Sequence, residues 1–231
     1  PLQNGKYHDN AVVLKINLMD LGFGEFSATR YYGPQTESAV LEFQKYYGLV
    51  TNGIADEPTL DKIDEVLNWY LQEPNRHEDV IQLKVNLMAL GFGEFSATEY
   101  YGPQTKNVIK EFQEYYGLII NGIADQPTLD KIDEILNWPL QNRNRHDDVI
   151  ELKEMLEFLG FGSFAKTDLF GDNTEDAVKE FQKAHGLVVN GIADEVTLRV
   201  LKEEYQTLQS GIKYTLFDIS FDDFVNIQMG R

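Results

Sequence analysis

The chain has 231 residues, no Cys, and 38 Asp and Glu against 20 Lys and Arg, for a formal net charge of −18. That balance argues against nucleic acid and anionic membranes, whose binding relies on basic patches. The missing Cys removes disulfides, thiolate metal sites and cysteine nucleophiles together. No apolar run reaches the length of about eighteen residues that a membrane-spanning helix needs, and at 42% apolar and 25% charged the composition is that of a globular chain with a real core. Pro1-Leu2-Gln3-Asn4 shows neither an initiator Met nor the basic-then-apolar pattern of a signal peptide, so the chain reads as an excised fragment.

A repeat organises everything that follows. His8, His77 and His146 recur at intervals of 69 residues, and so do Gly33, Gly102 and Gly171, and Gln44, Gln113 and Gln182. The third copy is the most divergent. In each copy three segments read as helices. The first carries Ala11, Leu14, Leu18 and Leu21 on one helical face, repeated by Val80, Leu83, Leu87 and Leu90 and by Val149, Leu152, Leu156 and Leu159. Acidic residues near its start (Asp9; Glu78, Asp79; Asp147, Asp148) suit the helix dipole, and Gly22-Phe23-Gly24 stops it. The second helix follows Gly33-Pro34 and runs through Val40, Phe43 and Tyr47 to Gly48. Leu49 to Ile54 is a short extended stretch with an Asn-Gly turn. The third helix starts at Asp56, a plausible N-cap, and continues through Leu60, Ile63 and Leu67 to Trp69.

The expected fold is therefore all-α: three tandem three-helix modules with a short C-terminal extension. The expected boundaries are 1–70, 71–139 and 140–209, with 210–231 as a linker or the start of a following domain. Trp69 and Trp138 sit where one copy passes into the next, and Thr207 takes that place in the last. Each Trp is expected to seal a module junction. Pro1-Leu2-Gln3-Asn4 matches Pro139-Leu140-Gln141-Asn142, which implies a further copy before residue 1 in a longer parent. Tyr214 to Phe221 reads as a strand-like start and Asp222 to Met229 as helical.

The third copy carries the clearest motifs: Val149-Ile150-Glu151-Leu152-Lys153, Leu159-Gly160-Phe161, Phe170-Gly171-Asp172-Asn173-Thr174, Ala177-Val178-Lys179-Glu180-Phe181-Gln182, and Gly186-Leu187-Val188-Val189-Asn190-Gly191-Ile192. Their order and spacing resemble the peptidoglycan-binding domain of bacterial cell-wall hydrolases, over residues 8–206 and three times over. Departures exist. That family's first-helix Gln is Lys15, Lys84 and Lys153, its Asp before Gly-Ile is Asn52, Asn121 and Asn190, and its Phe-Gly is Tyr-Tyr-Gly in the first two copies. The tail is similar to what precedes the glucosaminidase domain in some Gram-positive autolysins.

No His-Glu-x-x-His, His-x-His or Gly-x-Ser-x-Gly occurs, so the fragment reads as non-catalytic, with no metal and no cofactor. The three repeated His sit at helix starts, where a structural role is expected. The ligand-like feature is aromatic. Tyr31-Tyr32 and Tyr46-Tyr47 bracket the second helix, Tyr100-Tyr101 and Tyr115-Tyr116 repeat them, and the third copy has Leu169-Phe170 and Ala184-His185. Adjacent residues point in different directions, which leaves one ring of each pair to stack on a sugar. Copies one and two should then bind alike, and the third differently or not at all. Gln44, Gln113 and Gln182 with Asn52, Asn121 and Asn190 offer amides either to peptide stems or to their own turn. The candidate ligand set is these residues with the Tyr pairs, Phe170 and His185.

Together with the resemblance, these features imply a secreted, monomeric, cell-wall segment of a Gram-positive organism. It would bind peptidoglycan through glycan strand or stem peptide and anchor an attached hydrolase, glucosaminidase-like or other, of the parent protein. The alternative is a structural spacer or protein-interaction array, such as a spore or cell-surface layer component. The acidity leans that way, because wall teichoic acids are polyanions.

Overall fold

The computed structural model describes residues 2–228, with side chains through Gly211. Each module opens with a short extended segment and then builds three helices. In the first these are β1 (Lys6–Tyr7), α1 (Asn10–Asp20), β2 (Tyr31–Tyr32), α2 (Pro34–Tyr46) and α3 (Glu57–Leu67). The second contributes α4 (Asp79–Ala89), α5 (Pro103–Tyr115) and α6 (Gln126–Leu136). The third contributes α7 (Asp148–Phe158), α8 (Asp172–Ala184) and α9 (Glu195–Gln228). Among the described residues the fold is all-α apart from one two-stranded ladder.

Local chemistry explains these elements. The first helix of each module is capped by the repeated histidine. Asn10 N–H donates to His8 Nδ1 at 3.1 Å, and the same bond recurs at His77 and His146 at 3.2 Å. α1 ends at Gly22, whose φ of +87° is reached without the steric cost a side chain would carry. α2 and α5 open on Pro34 and Pro103, whose missing N–H would be unpaired at that position anyway. Asp56 caps α3 by accepting from the Thr59 amide at 3.2 Å and the Thr59 hydroxyl at 2.6 Å.

The chain divides into two compact units, Pro1–Leu136 and Asn137–Arg231. In the first unit Leu14, Leu18, Leu21, Phe23, Val40, Phe43 and Ile63 form a closed core that also takes in Ile123 of the second module. Each of these fully buried side chains is worth ~1.5–3 kcal/mol relative to exposure. Trp69 packs against this core, and its indole N–H donates to the Ala124 carbonyl at 2.7 Å, so it joins modules one and two as the sequence led one to expect. In the second unit Trp138 makes the matching bond to Ala193 at 2.8 Å. Leu140, Leu152, Leu156, Phe170, Val178, Phe181 and Leu201 form that unit's core.

The tail corrects one expectation. Residues 214–221 are helical, not extended, because α9 runs unbroken through Gln228. No Pro interrupts it, and a helix already nucleated adds residues more readily than a new strand forms without a partner. Pro1 and Met229 lie outside the described residues.

Candidate functional site

Most of the aromatic and amide residues singled out by the sequence face inward. Tyr32 and Tyr101 are fully buried, and their hydroxyls donate to the carbonyls of Gly53 at 2.7 Å and Gly122 at 3.0 Å. Phe170 is their buried counterpart in the third module. The Gln44 amide is wholly engaged in its own turn. Nε2 donates to Asn52 Oδ1, the Ile54 carbonyl and the Thr59 hydroxyl at 2.9–3.0 Å, and Oε1 accepts from the Asn52 and Gly53 amides at 3.0 and 2.9 Å. Gln113 with Asn121, and Gln182 with Asn190, repeat the arrangement. The Asn that stands where the family has Asp also bonds the capping Asp56, which a second carboxylate would repel. These amides build the turn that follows the second helix, with the Gln buried and Asn52 exposed at its surface.

Tyr46 and Tyr47 enter the junction between modules one and two. The Tyr47 hydroxyl donates to Asp125 Oδ2 at 2.7 Å, and both rings pack edge-on or tilted with Phe23. Burial, and then the Asp125 charge, pushes both hydroxyls well above the usual tyrosine range. Tyr115 and Tyr116 form the same aromatic cluster with Phe92 and Phe112. His185 stacks on Phe181 at 4.0 Å, with Nδ1 2.8 Å from the Phe181 carbonyl and Nε2 2.6 Å from Glu204 Oε2.

Two of the predicted rings remain open. Tyr31 is 36% exposed on the short antiparallel ladder, and Tyr100 is 37% exposed at the isolated bridge that takes its place in the second module. Each faces a cross-strand partner that sequence reasoning missed. Tyr31 pairs with Tyr7, which is 75% exposed, with ring centroids 4.9 Å apart and planes tilted by 40°. Tyr100 pairs with Arg76, whose guanidinium lies 4.9 Å above the ring centroid. In the third module the pair is Arg145 and Leu169, and Arg145 bonds Asp168 instead. The signal was present as Tyr7, Arg76 and Arg145 at the 69-residue interval, but only strand register makes them partners of Tyr31, Tyr100 and Leu169.

Beside Tyr31 lies a groove of about 330 Å³ lined by Phe26, Thr29, Gln35, Thr36 and Lys15. Its equivalent in the third module, also about 330 Å³, is lined by Phe164, Thr167, Leu169, Asn173 and Lys153. The lysine explains another departure from the family pattern. Lys15 donates to the Ser27 carbonyl at 3.3 Å and the Thr29 hydroxyl at 2.9 Å. Lys84 bonds Thr98 and the Tyr100 carbonyl at 2.8–3.1 Å, and Lys153 bonds Ala165, Thr167 and Leu169 at 2.8–3.3 Å. Each ammonium ties down the loop that carries the aromatic residue, and burial lowers each lysine's pKa. Flat exposed rings beside hydroxyl, amide and ammonium groups suit a sugar's apolar face and polar edge.

The family described as "Putative peptidoglycan binding domain" matches residues 7–63, 76–132 and 145–201. The chain is also 31% identical over 118 residues to the N-acetylmuramoyl-L-alanine amidase CwlM of Mycobacterium tuberculosis (strain ATCC 25618 / H37Rv). That alignment covers 48% of this chain and 29% of the amidase, so the chain spans less than a third of that relative. No solved structure matches the chain.

Proposed function

Because the chain belongs to the peptidoglycan-binding domain family through all three modules, we propose that it is a non-catalytic wall-binding segment. It holds peptidoglycan against the face that carries Tyr31 in its first module and Tyr100 in its second. The observation that carries this reading is the exposed Tyr7–Tyr31 pair beside the polar groove, with Tyr100 in the same place one module on. The rings stack on a glycan ring, and Thr29 and Gln35 meet its hydroxyl and acetamido groups. Two weak sites on one chain gain by avidity along a repeating polymer. In a longer, secreted parent the segment anchors a hydrolase at its substrate. CwlM, named as an amidase, supports such a pairing.

A spacer role has an observation of its own: Tyr46, Tyr47 and Trp69 are spent on joining modules one and two. Co-sedimentation with purified sacculi, with and without teichoic acid, separates the two readings. The wild type is expected to sediment, and a Tyr31→Ala/Tyr100→Ala variant with an unchanged circular dichroism spectrum is expected to lose at least about tenfold in affinity, roughly 1.4 kcal/mol. A variant that binds as well as wild type overturns the aromatic face. A wild type that stays in solution overturns wall binding and favours the spacer.

A further inference from the structure

A second cavity, of about 460 Å³, lies between α1 and α3 and is lined by none of the ladder residues. Its floor is apolar: Leu14 and Ile63 are 2% and 1% exposed and Ala55 is fully buried. Its rim carries Asn17, the open carboxylate of Asp64, and His8, whose Nδ1 is taken by the α1 cap. Asp64 has no ion pair among the described residues. The cavity recurs in the second module at about 260 Å³, with Leu83 and Ile132 on the floor and Asn86 and Asp133 at the rim. In the third module the two rim positions are Met155, which is buried, and Lys202. The Asn–Asp pair is thus kept in two modules and replaced by an apolar and a cationic residue in the other.

An apolar floor for methyl-sized side chains beneath an amide and a carboxylate is a recognition set for a short peptide bearing a primary ammonium. We propose that the α1–α3 and α4–α6 cavities of modules one and two bind an uncross-linked stem peptide through the free side-chain amine of its diamino acid. Asp64 and Asp133 pair with the amine, and the floor receives the neighbouring alanine methyls. Lys202 repels the same group in module three. The identity of the ligand rests on the wall-binding reading above. The site does not, since it uses none of the ladder residues.

The test is a titration of the full-length ¹⁵N-labelled chain with Ala-γ-Glu-Lys-Ala, followed by backbone amide shifts, beside the same peptide acetylated on the lysine amine. Shifts are expected around Asn17, Asp64, Asn86 and Asp133, and none around Met155 and Lys202. Acetylation, or Asp64→Asn/Asp133→Asn, is expected to weaken binding about tenfold, near 1.4 kcal/mol. Equal responses to both peptides, or shifts confined to other surfaces, overturn the proposal. Sacculus binding by the same chain separates the two failures. Retention on sacculi without a peptide response removes only the amine site, whereas absence of both removes the wall-binding reading as well.

Discussion

Tyr32 and Tyr101 pair a fully buried ring with a hydroxyl that donates to a turn carbonyl. Burial raises both above the ordinary 10.0, helped by the charge of Glu37 at Tyr32 and of Asp125 at Tyr101. In the unfolded chain they ionise near pH 10, so above that value the unfolded state holds fewer protons and stability falls. Their contribution is complete below pH 10 and is lost as pH climbs toward the folded values. The lysines work the other way. Lys15, Lys84 and Lys153 are lowered from 10.5, so their effect raises stability with pH but ends near 10.5, where the unfolded lysines are themselves neutral. Above pH 10.5 the urea midpoint is therefore expected to drop steeply, with each of the two buried tyrosines contributing about 1.4 kcal/mol per pH unit. Tyr32→Phe/Tyr101→Phe should lower the slope, the part that remains coming from Tyr46 and Tyr47, which burial raises as well. An unchanged slope would mean that other groups govern alkaline unfolding.

At the scale of elements, the loop between the first two helices of each module decides what is presented. Gly33 has an ordinary extended φ of −102°, so backbone freedom is not its purpose. A Cβ there would come within 2.7 Å of the Tyr31 ring, and one at Gly102 within 2.6 Å of Tyr100. At Gly171, where Leu169 replaces the tyrosine, nothing lies within 4 Å. Gly33→Ala is expected to displace the Tyr31 ring and lower sacculus affinity as Tyr31→Ala does, with a stability change of about 1 kcal/mol or less. Gly171→Ala should leave binding untouched. Equal effects of both substitutions, measured by co-sedimentation and urea unfolding, would show that the loop rather than the ring matters. The repeated glycine was legible in the sequence, but two of its copies accommodate a ring and the third does not, and only packing separates them.

At the scale of the whole molecule, modules one and two share a core across their boundary. Gly22 abuts Ile119 of the next module so closely that a Cβ would sit 2.8 Å from it. The Tyr47–Asp125 bond and the Trp69 indole complete the junction. Trp69→Phe keeps most of the ring but leaves the buried Ala124 carbonyl without that donor, a loss of about 1–3 kcal/mol. Urea unfolding followed by circular dichroism should show a lower midpoint for the Pro1–Leu136 unit, with the fluorescence of Trp138 reporting the other unit separately. An unchanged midpoint would mean that shape alone holds the two modules together.

The sequence by itself determined the periodic facts. Helix faces, caps and stops follow from spacing that any reader of residues 8–206 can count, because they depend on neighbours three or four positions apart. It also located the Gln–Asn pairs and the tyrosine doublets, but it could not say which way each side chain turned. Gln44 needed the positions of Asn52, Ile54 and Thr59, and Tyr47 needed Asp125, 78 residues away. The open rings, Tyr31 and Tyr100, acquired their partners Tyr7 and Arg76 only through strand register. Burial and cross-strand pairing are set by distance in space. A repeat supplies the same residues three times, and tertiary packing decides which copy turns inward, which joins its neighbour and which stays open to a ligand.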